Sequence, residues 1–260
     1  MDNLKSIYSS SLLQIKQSFG RPMFRFCVFV QPILYGIITY FMFKKSGMNN
    51  FVAYSILGTG LLSLWSTICF SSVGDISRER FMGTLEVISC TPTKFEIIML
   101  GKVLGNTLWG AVSMIISYIF ITVAFRTSMI IVHPLIFIGT FIISLVSFIG
   151  ISLVLASVAT LSRKTGIIMN MLEFPVYILC GILFPIEILP IWTRLLSWIL
   201  SPTWVVKLLK MSVLGIENYE MYFKYMVILI FITMVYFILA RILFKEIDKK
   251  TRIHATLGVS

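Results

Sequence analysis

Charged side chains are scarce in this sequence. Asp, Glu, Lys and Arg make up 13% of the 260 residues, whereas a soluble domain carries about 25%. Apolar residues account for 58% of the chain. A chain with so few charges cannot cover a globular surface, which argues against a soluble enzyme, and a chain this apolar does not stay unfolded. The composition therefore predicts a protein that is embedded in a lipid bilayer.

Side chains that hold metals or nucleotides are scarce as well. The sequence has two histidines and four cysteines with no CxxC pair, so neither a metal site nor a disulfide framework is indicated. The only Gly-Lys pair is Gly101-Lys102, and Glu96 stands where a P-loop has its first glycine. We therefore expect this chain to bind no metal and no ATP of its own.

The net charge of +11 has a simple explanation in a membrane protein. In a soluble chain, 22 basic against 11 acidic residues would suggest nucleic-acid binding. Here the basic residues flank apolar runs, and no basic stripe with interleaved aromatic residues stands outside those runs. We therefore expect the basic residues to face membrane lipid headgroups or the cytoplasm, and we expect no nucleic-acid partner.

The apolar residues fall into six runs that are long enough to cross a bilayer, which takes about 20 residues of helix. The runs lack the alternation of a barrel strand, and only helices or closed barrels satisfy their backbone hydrogen bonds in lipid. The predicted fold class is all-α, a polytopic bundle of six transmembrane helices in a single domain over residues 1–260. The predicted spans are residues 23–43, 51–73, 103–125, 134–161, 166–184 and 222–244.

The positions of lysine and arginine predict the orientation. If both termini are cytoplasmic, fifteen of the 22 basic residues fall in inner segments and seven in outer ones. Lys44 and Lys45, in a short outer turn, point the other way. The positive-inside rule nevertheless favours cytoplasmic N- and C-termini in a plasma or inner membrane.

Two segments outside the spans have helical patterns of their own. Residues 1–20 predict an amphipathic helix in the inner interface, because Leu4, Tyr8 and Leu12 follow helical spacing. Residues 185–220 are too apolar for an open loop, and their first half is too short and proline-rich for a span. They predict an outer re-entrant helical hairpin before the last span.

A third segment, residues 74–102, is the longest charged one. Asp75 is predicted to cap a helix that ends at Ser89. Gly83 weakens such a helix by about 1 kcal/mol relative to alanine, so we expect a bend there. The helix carries an apolar stripe beside a charged side. The stripe comprises Phe81, Leu85 and Ile88, and the charged side comprises Arg78, Glu79, Arg80 and Glu86.

Gly101 and Gly105 form a GxxxG pair at the start of the predicted third span. Such a pair lets two helices approach closely. The pattern is equally compatible with packing inside one subunit and with a seam between two subunits.

Glu173 lies seven residues into the predicted fifth span. A carboxylate at that depth costs a few kcal/mol, so it should face the bundle interior and be paired or protonated. Pro175 is expected to kink the helix beside it. The functional interpretation is a substrate contact or a gating pair with a basic group such as Arg25 or Lys102. The alternative is a structural ion pair or a carboxylate that reaches the interface.

The motifs of residues 74–102 resemble the first cytoplasmic loop of ABC-2-type transport permeases. That family has an Arg-Glu-Arg run, a Gly-Thr-Leu-Glu, a Ser/Thr-Pro and a Gly-Lys that enters the third span. The counterparts here are residues 78–80, 83–86, 91–92 and 101–102. Farther along, residues 184–187 (Phe-Pro-Ile-Glu) and 201–204 (Ser-Pro-Thr-Trp) are similar to the family's hairpin motifs.

The resemblance implies an exporter assembled from separate subunits. Two permeases pair, as a homodimer or with a related permease, and two P-loop ATPase subunits that bind ATP and Mg dock on the cytoplasmic side. Residues 74–102 would be the ATPase-coupling loop. Its implied contact residues are Arg78, Glu79, Arg80, Phe81, Gly83, Thr84, Leu85, Glu86 and Ile88. We assign the substrate pathway and its gate to Glu173, Pro175, Phe184, Pro185 and Glu187.

The expected function is export of an amphiphilic substrate, such as a drug, an antibiotic, a peptide or a lipid-linked molecule, from the cytoplasm or inner leaflet. A polysaccharide- or teichoic-acid-type export permease is the alternative within the same class. A membrane-embedded enzyme of lipid or peptide processing is a second alternative, and a non-transporting membrane assembly factor is a third. Ser152 lacks the following glycine of a nucleophile elbow, which argues against the enzyme.

Overall fold

The computed structural model describes residues 2–45, 50–89, 91, 93–127, 129–161, 165–183, 186 and 189–254. In these ranges every long element is a helix. In chain order they are α1 (Asp2–Phe19), α2 (Pro22–Arg25), a π-helical turn (Phe26–Val30), α3 (Gln31–Lys45), α4 (Phe51–Phe81), α5 (Thr84–Ser89), α6 (Phe95–Phe125), α7 (Pro134–Leu161), α8 (Thr165–Leu179), α9 (Ile191–Ile199), α10 (Ser201–Leu214) and α11 (Tyr219–His254).

Five of the described helices are long and apolar enough to cross a membrane, and they coincide with five of the six predicted spans. The remaining predicted span, residues 166–184, coincides with α8, which has 15 residues and ends at Leu179. The chain turns there because Gly181 adopts a left-handed conformation, with φ of 73°. The five helices that are long enough to cross a membrane are Pro22–Lys45, Phe51–Phe81, Phe95–Phe125, Pro134–Leu161 and Tyr219–Lys249.

Helix α4 lies at the centre of the bundle. Of its most apolar window, 94% is buried, compared with 28% for α6 and for α11. It packs against α3, α6, α7 and α8, and Trp65 on α4 contacts Phe148 on α7 with their ring centroids 6.0 Å apart. Apolar groups gain little by leaving lipid, so close packing of such side chains stabilises the bundle. The outer helices turn much of their apolar surface outward.

The N-terminal helix α1 packs along α6, and the GxxxG pair is what allows it to do so. A methyl group added at Gly101 would lie 2.6 Å from the carbonyl oxygen of Ile7, and one added at Gly105 would lie 2.8 Å from that of Ser11. Only glycine permits these approaches. The pair therefore packs two helices of one chain, and this face of α6 is covered by α1.

The charged segment differs from the prediction at its start. Asp75 does not cap a helix but lies inside α4, which continues to Phe81. The helix ends there because Gly83 has a φ of 69°, in the left-handed region that breaks an α-helix. The bend expected at Gly83 is thus confirmed, and the short helix α5 restarts the chain after it.

The segment predicted as a hairpin contains two helices with different surroundings. Helix α9 exposes apolar side chains such as Leu195 and Leu196. Helix α10 is largely buried against α4, α7 and α11, so it belongs to the bundle. Phe184, Pro185 and Glu187, with which the predicted hairpin begins, lie outside the described residues.

Candidate functional site

The last turn of α4 carries three consecutive charged residues, and the middle one is buried. Glu79 forms an ion pair with Lys102 of α6 and accepts a hydrogen bond from the hydroxyl of Thr84 at the start of α5. Both partners of the ion pair are buried, with 7% and 5% of their surfaces exposed. Breaking a buried pair by removing one partner typically costs about 3–5 kcal/mol. The pair therefore fixes the start of α6 against the end of α4.

The two flanking arginines reach two further helices. Arg78 Nη2 donates a hydrogen bond to Gln17 Oε1 of α1, 3.3 Å away. Arg80 Nη2 donates to the carbonyl oxygens of Ala159 and Thr160, at 3.2 and 2.6 Å. The last carbonyls of a helix have no partner within it, so Arg80 caps the end of α7.

The predicted docking stripe is divided by the turn at Gly83. Phe81 is 93% exposed, whereas Leu85 is 1% exposed and belongs to the hydrophobic core. Ile88 is half-buried against the same core, and the side chain of Glu86 lies outside the described residues. Three apolar side chains next to this turn are exposed: Phe81, Met82 and Val87. We call these three residues the apolar tip.

The core beneath the apolar tip includes the far end of α11. Phe95, the first residue of α6, packs against Phe244 with a centroid separation of 5.8 Å. Ile247 and Leu85 are buried in the same cluster. The last helix of the chain thus supports the segment that carries the tip, a contact that the sequence pattern did not predict.

A second buried polar cluster, which we call the Asp75 network, joins α1, α4 and α6. Asp75 is paired with Arg21, and its Oδ2 atom accepts hydrogen bonds from Gln14 Nε2 at 2.5 Å and Asn106 Nδ2 at 2.9 Å. Gln14 also donates to Asn106 Oδ1 at 3.0 Å. The sequence interpretation missed this network because it treated residues 1–20 as an interfacial helix and considered only their apolar face. The signal it overlooked is the polar spacing of Gln14, Ser18 and Arg21 along one face of the chain.

The predicted pathway residue Glu173 is buried between α8, α4 and α3. Its Oε1 atom accepts hydrogen bonds from Ser66 Oγ at 2.5 Å and from Tyr177 OH at 2.9 Å. Gln31 and Tyr35 extend the cluster: Ser66 Oγ lies 3.2 Å from Gln31 Oε1, Gln31 Nε2 donates to Tyr35 OH at 2.6 Å, and the two tyrosine hydroxyls are 3.4 Å apart. We call these five residues the Glu173 cluster.

The structure gives Glu173 no basic partner among the residues it describes. Lys102, one of the two expected gating partners, is instead paired with Glu79, and no ion pair within the described ranges joins Glu173 to Arg25. Pro175 lies inside α8 and is exposed. Phe184, Pro185 and Glu187, the other three pathway candidates, lie outside the described residues.

The sequence profile of the ABC-2 type transporter family matches residues 6–214, and the chain belongs to this family. The match begins in α1 and ends at the last residue of α10, so it includes the Asp75 network, the apolar tip and Glu173. A comparison with curated proteins gives no match. The chain is thus a multi-pass membrane protein and the membrane subunit of a transporter, in a family that normally pairs with an ATPase subunit.

Proposed function

We propose that the chain is the permease subunit of an ATP-driven exporter that moves an amphiphilic substrate out of the cytoplasm or the inner leaflet. The complete transporter contains a second permease subunit, which makes a homodimer with this one, and two P-loop ATPase subunits that bind ATP and Mg. The chain itself contributes the pathway and the surface on which an ATPase docks.

The apolar tip is the observation that carries this proposal. Helix α4 has 31 residues and is therefore about 46 Å long, whereas the hydrocarbon core is about 30 Å thick. Because its apolar part begins at Phe51, the excess length is at the Asp75–Phe81 end, where Phe81 is exposed in a charged segment. Together with Met82 and Val87 it forms a group of exposed apolar side chains beside charged residues, and such a group outside the hydrocarbon is typical of a protein-docking surface. A groove on the ATPase is the partner that the family supplies.

The charged residues behind the tip suggest how movement passes into the membrane. Arg78, Glu79 and Arg80 connect the end of α4 to α1, α6 and α7. When ATP binding closes the two ATPases, a displacement of the tip would therefore act on four helices together. Helices that are joined by packed, hydrogen-bonded contacts move together, because such interfaces switch between discrete arrangements and do not deform gradually.

The proposed topology has six spans with both termini in the cytoplasm. Helix α8, with 15 residues, is about 22 Å long and would be a short fifth crossing. Helices α9 and α10 would form the outer re-entrant hairpin. This is supported by the exposed apolar face of α9 and by the burial of α10, since non-spanning segments at membrane depth must be buried in protein or contact lipid as helices.

The test is ATP-dependent transport by the reconstituted complex. The chain is purified with its proposed P-loop ATPase partner and placed in proteoliposomes with a panel of cationic, neutral and anionic fluorescent amphiphiles. We expect ATP to drive at least one of them across the bilayer, and we expect no transport when the P-loop lysine of the ATPase is replaced. If ATP transports none of these amphiphiles, whether they are placed in the inner or in the outer leaflet, the export function is wrong.

A further inference from the structure

We propose that the Glu173 cluster binds the ammonium group of a cationic amphiphile, so that the transported substrates are amines with a long apolar part. This inference rests on the proposed export function and makes its substrate class specific. Three observations support it: the missing counter-charge of Glu173, the shortage of hydrogen-bond donors around it, and the aromatic route from the cluster to the surface.

The missing counter-charge distinguishes Glu173 from the other buried carboxylates. Among the described residues, the buried carboxylates are Asp75, Glu79 and Glu173. Asp75 is paired with Arg21 and Glu79 with Lys102. Glu173 is 7% exposed and has no lysine or arginine nitrogen within 4.0 Å in the described ranges. A buried charge is normally paired, and a cation from outside the chain would supply the partner that Glu173 lacks in the described ranges.

The cluster also leaves an acceptor of Glu173 without a hydrogen bond. Ser66 has one hydroxyl proton, but two acceptors lie within its reach, Glu173 Oε1 at 2.5 Å and Gln31 Oε1 at 3.2 Å. The second donor to Glu173, Tyr177, reaches Oε1 as well, so within the described residues Oε2 receives no hydrogen bond. An ammonium group is complementary to such a cluster, because it has three donors and no acceptor.

The third observation is an aromatic route between the cluster and the surface. The rings of Tyr35 and Tyr177 are 6.1 Å apart in an edge-to-face arrangement, and Phe174 lies 6.1 Å from Tyr177. Phe174 is exposed, whereas Tyr35 and Gln31 are half-buried. Aromatic faces attract cations and also pack against apolar chains. An amine could therefore reach Glu173 with its apolar part left against Phe174.

The experiment compares amphiphiles that share one chain length and differ in the head group. Dodecylammonium carries a charge and three donors, dodecyltrimethylammonium carries a charge without donors, and dodecanol is neutral. Each competes with the transported fluorescent amphiphile in proteoliposomes that contain the permease and its ATPase. Concentrations are expressed per lipid after the partitioning of each compound has been measured, so that membrane affinity does not enter the comparison.

In the wild type we expect dodecylammonium to compete at a concentration at least ten-fold lower than dodecanol, with dodecyltrimethylammonium between them. Glu173→Gln keeps the shape of the side chain and removes the charge, and it should bring the first two compounds to within about two-fold of dodecanol. Glu220→Gln is the matched control, since Glu220 is exposed in the first turn of α11, and it should keep the wild-type order.

Equal competition by dodecylammonium and dodecanol in the wild type would overturn the inference. This comparison uses only the wild type, so it does not depend on whether Glu173→Gln folds. A preference for the ammonium that persists in Glu173→Gln would also overturn it. In both cases the export function survives, because the fluorescent amphiphile is still transported. If no amphiphile is transported at all, the export function fails and the substrate class fails with it.

Discussion

Arg80 Nη2 lies 2.6 Å from the carbonyl oxygen of Thr160, so an arginine at the end of α4 caps the end of α7. The two residues are 80 positions apart in sequence. This contact gives the segment that carries the apolar tip a direct connection to a helix of the opposite half of the chain. It is the basis of the first prediction.

Replacing Arg80 by glutamine should separate ATP hydrolysis from transport. The change removes hydrogen bonds from a charged donor, which typically contribute about 1.5–3 kcal/mol each, and leaves the last carbonyls of α7 uncapped. We expect the purified complex to keep its ATPase subunit while export per ATP hydrolysed falls several-fold. Lys245→Gln, at an exposed position on α11, is the control for the lost charge. Unchanged export per ATP in Arg80→Gln would show that α7 receives no movement through this contact.

Phe81 and Leu85 should respond oppositely to truncation, although sequence spacing places them on one stripe. Phe81→Ala should leave the thermal stability of the permease unchanged, because the side chain is 93% exposed, and should weaken its co-purification with the ATPase. Leu85→Ala should lower the free energy of unfolding by about 2–5 kcal/mol, the usual range for a buried leucine. Thermal unfolding in detergent and co-purification are measured for both. Normal ATPase binding by Phe81→Ala would remove the apolar tip from the docking surface.

The Glu79–Lys102 pair can be tested with a double-mutant cycle. Glu79→Gln and Lys102→Met each leave one buried charge unpaired, so each should cost about 3–5 kcal/mol of stability. The double variant buries neither charge and should be more stable than the sum of the two single changes predicts. Unfolding of all four proteins in the same detergent gives the coupling energy. Strictly additive losses would mean that the two charges do not interact in the membrane.

The packing of α1 against α6 can be tested at the first glycine of the GxxxG pair. Gly101→Val places a branched side chain where the Ile7 carbonyl oxygen lies, so it should displace α1 and expose it to protease while the spans stay inserted. Gly139→Val is the matched control, because position 139 is exposed and a methyl group there meets no atom within 4 Å. Gly101→Val should leave the proposed permease dimer intact. Loss of the dimer with α1 still protected would favour the seam between subunits instead.

The proposed hairpin predicts accessibility from outside the cell. Cysteines introduced at Leu189 and Ile199 should both react with a membrane-impermeant thiol reagent added externally, since Leu189 lies just before α9 and Ile199 is its last residue. Cys27, Cys69 and Cys180 are buried and should stay silent; Cys90 is replaced by serine for the experiment. Labelling of either position only from the cytoplasmic side would exclude a hairpin that enters from outside.

The long helices could be predicted from sequence because apolar runs alone determine them. The end of α8 could not, since it depends on a turn at Gly181 within an otherwise apolar stretch. The difference in exposure between Phe81 and Leu85 could not be predicted for a related reason. Helical spacing places residues four apart on one face only while the helix is continuous, and the left-handed Gly83 between them resets the phase.

The buried polar contacts were harder still to predict. Asp75 matches the pattern of a helix cap as well as it matches an interior position, and its partners Gln14 and Asn106 are 61 and 31 positions away. Single-sequence patterns report neighbours along one helix, not the partner on another. Glu173 was recognised because a carboxylate in an apolar run is conspicuous, yet its hydroxyl partners are ordinary residues of apolar helices.

The π-helical turn at Phe26–Val30 determines which side chains the next helix turns inward. The backbone N–H of Gln31 bonds to the carbonyl oxygen of Phe26, five residues back, so the turn holds one residue more than an α-helical turn does. One residue corresponds to a rotation of about 100°. Gln31 and Tyr35 therefore owe their position in the Glu173 cluster to that extra residue. Deleting Phe29 would rotate both side chains away from the cluster without changing any residue that belongs to it.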